Sequence, residues 1–132
     1  LNVVDSSGWL EYFGDGPNAE GFAEPLAQPE ELIVPAISIF EVFKRVLQQR
    51  DETAAIQAAA LMQQGRTIAL DGSLAMAAAK LSFDLALPMA DSIILATARE
   101  FGATLWTQDA NFEEIEDVRY FPAAKAPTPR GR

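Results

Sequence analysis

Five short apolar runs recur along the chain, "NVV", "LIVP", "TIAL", "ATLW" and "VRYF", each closed by polar or turn-forming residues. They are rich in β-branched and aromatic side chains and predict strands. They do not alternate apolar with polar, as a sheet with one wet face would, so the pattern predicts a sheet buried on both sides. Between them stand "SSGWLEYF", "AEGFAEPLA", "SIFEVFKRVLQQR", "ETAAIQAAALMQQ", "SLAMAAAKLSFDLA" and "DSIILATAREF", whose length and Ala, Leu, Glu and Gln content predict helices. Asp71 is placed to cap the helix after it, Gly65 and Gly102 to stop the helices before them, and Pro88 to separate two helical runs. Strands that alternate with helices pair in parallel, with crossovers covering both faces. The expected fold is α/β, with a central, mostly parallel sheet of about five strands flanked by helices. That domain spans residues 1–121. From 122 the sequence "PAAKAPTPRGR" holds three prolines, three basic residues and no acid, and reads as a flexible tail without apolar mass to pack.

Composition changes this picture mainly by what it removes. At 132 residues, 49% apolar and 22% charged, the chain suits one soluble domain. It has no run long enough to suggest a membrane span and no basic lead-in to an apolar core, which points to the cytoplasm. It also has no cysteine and no histidine. Disulfides, thiol nucleophiles, Ser-His-Asp triads and ordinary zinc sites are therefore excluded. Catalysis, if present, rests on carboxylates, hydroxyls, Lys, Arg or a hard metal ion. The net charge of -9 argues against indiscriminate nucleic-acid binding, although a metal at an acidic site reverses the local sign.

Ligands of parallel α/β sheets bind outside the carboxyl ends of the strands. Asp5 ends the first strand and Asp109 lies just beyond the end of "ATLWTQD", so both belong to one rim. Glu41 stands among Phe, Ile and Val in "ISIFEVFKRVL", and Asp91 near the start of the apolar "SIILATAREF" helix. A carboxylate beside so much apolar surface is costly to bury unless it is paired or binds a cation. Each acid also has a plain reading. Asp5, Asp91 and Asp109 suit helix capping, and Glu41 has Arg45 one turn later as an i,i+4 partner. Glu30, Glu31, Glu113, Glu114 and Glu116 fall in runs that read as solvated surface.

In the order and spacing of "VVDSSGWLEYF", "ISIFEVFKRVL" and "MADSIILATAREFGATLWTQDANF", the chain resembles the PIN-domain ribonucleases, and among them the VapC toxins of bacterial toxin–antitoxin pairs. The resemblance implies a PIN-like three-layer sandwich. It also implies four catalytic, metal-holding acids, which by motif are Asp5, Glu41, Asp91 and Asp109, with Phe112 completing the last motif. Hydroxyls near the first and last acids support such sites, which points to Ser7, less directly Ser6, and Thr107. Some relatives carry a further acid where Asn111 stands here.

Mg²⁺ or Mn²⁺ suits this set, since both prefer hard oxygen ligands and keep several waters. The resemblance implies an endoribonuclease that hydrolyses RNA phosphodiester bonds with metal-activated water and leaves 5′-phosphate ends. It implies a cognate antitoxin and a homodimer as well. Lys44 and Arg45, on the helix of Glu41, are candidate RNA contacts, with Arg99 and the basic tail behind them. Trp9, Tyr12 and Phe13 in the first helix suggest an interface. The alternative is a non-catalytic RNA- or protein-binding module of the same fold. A haloacid dehalogenase would need an acid at Ser7, and a phosphate-cradling glycine loop is absent.

Overall fold

The computed structural model describes residues 1–124. The chain alternates five strands, β1 Asn2–Val4, β2 Ile33–Pro35, β3 Arg66–Ile68, β4 Thr104–Thr107 and β5 Val118–Tyr120, with six helices. These are α1 Ser6–Phe13, α2 Ala19–Leu26, α3 Ala36–Gln49, α4 Glu52–Met62, α5 Gly72–Leu85 and α6 Met89–Glu100. All strand pairings are parallel, in the orders β1-β4-β5 and β2-β3. A single parallel bridge between Asn2 and Leu32 joins the two groups, giving the spatial order β3-β2-β1-β4-β5.

The pleat sends successive residues to opposite faces, and here each face meets its own core. Val4, Val34 and Trp106 pack with Trp9, Phe22, Val42 and Met62 on one side, under α1 to α4. Val3, Ile33 and Leu105 pack with Ile94, Leu95 and Phe112 on the other, under α6. Both residues of each pair are apolar because both faces are covered, which is why the strands read as unbroken apolar runs. α5 is fastened to α6 through Leu74, Ala78, Ile93 and Ala96.

The helix ends follow the chemistry expected of them, with instructive departures. Asp71 caps α5 by accepting the Leu74 N–H at 2.8 Å, and Gly102 takes φ +61° after α6. Gly65 has a different reason to be glycine: a Cβ there would stand 2.9 Å from the Leu32 carbonyl oxygen and from Val34. The third strand is shorter than "TIAL" suggests, because Arg66 and Thr67 are exposed on the sheet edge and Leu70 lies beyond it. Trp9 corrects the expectation of an aromatic interface in α1. It is buried in the core and stacks on Phe13, leaving Tyr12 as the partly exposed ring.

The tail expected over 122–132 lies, from residue 125 onward, outside the described residues. Among the described residues, no single helix is long and apolar enough to cross a membrane. The apolar α5–α6 pair is bent by 116°.

Candidate active site

The strand order reverses between β1 and β4: β2 and β3 extend to one side of β1, and β4 and β5 to the other. Such a switch point opens a crevice at the carboxyl ends of the two strands. Asp5 follows β1 there, with its backbone N–H donating to the Trp106 carbonyl at 3.0 Å, so it sits beside Thr107 at the end of β4.

Asp5 turns out to be a helix cap and more. Its Oδ1 accepts the Gly8 N–H at 2.9 Å and the Ser7 hydroxyl at 2.7 Å, capping α1, while its Oδ2 accepts the Thr107 hydroxyl. Gly8 suits this tight first turn, since a Cβ would stand 2.7 Å from Phe22 and Val4. Thr107 Oγ1 in turn accepts the Asp109 N–H at 2.9 Å. Asp109 begins the turn Ala110–Phe112 by accepting the Asn111 N–H, and the Asn111 amide donates to Asp91 Oδ2 at 3.1 Å. On the other flank, Ser6 donates to Glu41 Oε1 at 2.6 Å. Hydroxyls and amides thus link all four acids through one continuous set of bonds and neighbouring residues.

Electrostatics places the acids in one neighbourhood. Asp5 is only 2% exposed, and burial pushes its carboxyl up to about 6. The bonds from Thr107, Ser7 and Gly8 oppose that rise, and the Asp109 charge adds to it. Asp91 is also pushed up to about 6, first by burial and then by the charges of Asp109 and Glu41, against the bond from Asn111. Among the described residues no ion pair offsets this. The two ion pairs among the described residues, Leu1 with Glu31 and Lys80 with Asp84, lie elsewhere. Arg45 does not pair with Glu41, whose Oε1 is taken by Ser6. Among the described residues no group of three or more acids stands close enough together to hold a metal ion; the four acids are linked through the hydroxyl and amide bonds above rather than drawn onto one point.

Asp91 is not a cap. Helix α6 begins at Met89 after Pro88, so Asp91 is its third residue, in the first turn. Favourable charge at a helix N-terminus offsets part of what its acid neighbours cost. Arg45 is exposed and lines a groove together with Ser7 and Gln108, whereas exposed Lys44 does not line it. Sequence reasoning missed Gln108 and Asn18. Gln108 donates its N–H to Ser7 Oγ at 3.3 Å, and its side-chain oxygen accepts from the Asn18 amide at 3.0 Å. The place of Gln108 between Thr107 and Asp109 was the available signal; for Asn18, ninety residues away in sequence, there was none.

A sequence model of the PIN domain matches residues 3–118. The chain belongs to the PIN-domain family. No curated protein is close enough in sequence to count as a relative. Among solved structures, this PIN domain is similar to a toxin–antitoxin complex from Klebsiella pneumoniae at 23% identity and a TM-score of 0.75, over 89% of this chain and 95% of that one. It is similar to VapC20 of Mycobacterium tuberculosis, described as a sarcin–ricin loop cleaving toxin, at 17% identity and 0.75, over 90% and 98%. The VapBC2 structure of Rickettsia felis, bound to a promoter DNA fragment, follows at 14% and 0.69, over 91% and 96%. At these identities the likeness is one of fold, and it agrees with the helix-flanked parallel sheet read from the strand and helix pattern and with the three-layer sandwich that the family resemblance implies.

Thr107 is the joint of the PIN-domain site, since one hydroxyl serves both Asp5 and Asp109. Thr107→Val keeps the shape, strips Asp5 Oδ2 of its donor and leaves the Asp109 N–H without an acceptor. Urea unfolding is expected to show a loss of about 1–3 kcal/mol. A stability equal to wild type would mean that this hydroxyl holds neither acid.

Proposed function

We propose that this PIN domain is a metal-dependent endoribonuclease of the VapC type, the toxin of a toxin–antitoxin pair acting in the cytoplasm. One observation supports the reading: hydroxyl and amide bonds link acids from α6, α3 and the ends of β1 and β4, and none of these acids forms an ion pair among the described residues.

The donor chemistry supports Mg²⁺ or Mn²⁺. The set is all hard oxygen, its carboxylates form no ion pair among the described residues, and such ions take one or two carboxylates together with waters and substrate phosphate. Asp5, Asp91, Asp109 and Glu41 are the residues that would hold the ion. When bound, such an ion supplies Lewis acidity toward the phosphodiester and lowers the pKa of water. The chain's own residues set the stage for that chemistry. Ser7 and Thr107 fix both oxygens of Asp5, and Ser6 orients Glu41. Asn111 ties Asp91 to the Asp109 turn where a fifth carboxylate would add repulsion. Arg45, and Lys44 beside it, supply positive charge for the RNA backbone on the helix that carries Glu41.

An antitoxin and a second copy of the chain are the proposed protein partners. The toxin–antitoxin complexes of similar fold support the first. Phe83 at 89% exposure, with Met76 and Met89 above 70%, leaves apolar surface that supports contact with another chain.

The test is to incubate purified protein and total RNA with Mn²⁺ and map new 5′ ends. New 5′-phosphate ends at a restricted set of sites, absent with EDTA, are expected. Ends that persist in EDTA, or no new ends from any RNA, would overturn the reading.

A further inference from the structure

A polar groove of about 360 Å³ is lined by Ser7, Leu10 and Glu11 of α1, Arg45 and Gln49 of α3, and Gln108; it adjoins the acids through Ser7, which bonds Asp5, and Gln108, which precedes Asp109. Its walls follow from helix geometry. Ser7, Leu10 and Glu11 share one face of α1, and Glu41, Arg45 and Gln49 form a single ridge of α3 at steps of four residues. With a rise of 1.5 Å per residue, Arg45 and Gln49 stand about 6 Å and about 12 Å along the axis from Glu41. An extended single strand advances by a comparable distance per nucleotide.

The groove is already sorted by charge. The Glu11 carboxylate is turned into the loop after α1: it accepts the Asn18 N–H at 2.8 Å and lies over Gly16. Arg45 makes no ion pair among the described residues. Gln108 is oriented. The Asn18 amide, itself held by the Pro122 carbonyl at 3.0 Å, donates to Gln108 Oε1 at 3.0 Å, and among the described residues the Gln108 NH₂ has no partner. A carboxamide fixed by a second amide presents hydrogen-bond donors in a set direction, as a base-reading group requires.

We propose that this groove is a nucleotide subsite, in which Gln108 and Gln49 read the base next to the cleaved phosphate and Arg45 holds the backbone beside it. Leu10 supplies the apolar floor against which a base face rests. The assignment rests on the ribonuclease reading for the identity of the strand, and on the groove for the residues. It places sequence preference in the loop after β4 and in the outer half of α3, in residues other than the acids themselves.

The probe is a random-sequence RNA octamer pool, read in two ways. One is the 5′ ends produced with Mn²⁺; the other is the sequences retained by the protein with Ca²⁺. Wild type is expected to prefer one base at one position beside the cut, and to enrich the same base among retained strands. Gln108→Glu keeps an acceptor for Asn18 but removes the donors, and should weaken or change that preference about fivefold or more at that position alone. Gln49→Ala, on an exposed helix surface, should flatten the same position or its neighbour. Arg45→Met should lower retention of all sequences together.

Cleavage with the same preference in all three variants would sink the subsite and leave the nuclease reading standing. Retention with a base preference that Gln108→Glu abolishes, but with no cleavage, would sink the nuclease reading and keep the subsite. No base preference in either readout, as for a groove that receives a protein segment, would end the subsite proposal.

Discussion

Asp5→Asn is expected to lower RNA cleavage by about 10²-fold or more without lowering the melting temperature at neutral pH. The two halves of this result have different origins. Residues that merely orient a metal ligand typically cost 10–100-fold in metal affinity or activity when changed, so a direct ligand should cost at least as much. The fold, by contrast, asks of Asp5 mainly an acceptor. The amide oxygen of asparagine accepts the Gly8 N–H and the Ser7 hydroxyl as Oδ1 does now, so the α1 cap survives. Toward Thr107 the amide presents N–H in place of an oxygen, and the threonine hydroxyl turns to accept it. A buried charge is lost in the exchange. Circular dichroism melts beside an RNA cleavage assay test both halves together. Activity within a fewfold of wild type would place the metal elsewhere. Asp91→Asn, on a separate helix, checks the same site from the opposite wall.

The second large effect is a coupling of stability, pH and divalent cation. In the unfolded chain the Asp5 carboxyl titrates near 3.8, and in the fold burial raises it to about 6. Between those values the folded protein keeps a proton that the unfolded chain has released, so stability falls as pH rises. The contribution is fully present below pH 3.8 and lost on passing through about 6. A tenfold change in acid strength is worth about 1.4 kcal/mol, so ionised Asp5 costs the metal-free fold on the order of 3 kcal/mol at neutral pH. Asp91 shifts in the same direction, but it is only half-buried and solvent screens its share. A divalent ion removes the cost where the carboxylates are charged, and protons compete with it where they are not. Mn²⁺ is therefore expected to raise the melting temperature at about pH 7.5 and much less at about pH 5. In EDTA, stability should fall less steeply with pH for Asp5→Asn than for wild type. Equal stabilisation by Mn²⁺ at both pH values would separate the ion from these acids.

Much of the architecture was legible because two-sided burial leaves a plain mark. Val3 with Val4, Ile33 with Val34 and Leu105 with Trp106 must each satisfy two cores at once, so no polar residue interrupts them. Parallel pairing then sets Asp5 and Asp109 on one rim without further information. What sequence left open was mostly a matter of partners remote along the chain. Capping and metal holding stood as rivals for Asp5, yet a carboxylate has two oxygens, and Gly8 with Ser7 use one while Thr107 uses the other. The i,i+4 pairing of Glu41 with Arg45 was the local expectation. Ser6 displaces it through a contact between α1 and α3 that only the tertiary fold creates. Trp9 read as an interface residue because an amphipathic helix shows its apolar face in sequence but not what covers that face; here α1 turns Trp9 into the core beside Phe22 and Val42. The Asn18–Gln108 clamp spans ninety residues and has no periodic signature at all.

The partnership of the first strand with the fourth has a bearing on how the molecule is made. Asn2 to Val4 find their hydrogen-bonding register only with Thr104 to Trp106, so more than a hundred residues must emerge from the ribosome before the edge of β1 is paired on that side. Asp109 arrives later still. A polypeptide cut short before β4 therefore carries Asp5, Glu41 and Asp91 without the strand and turn that join them into one cluster.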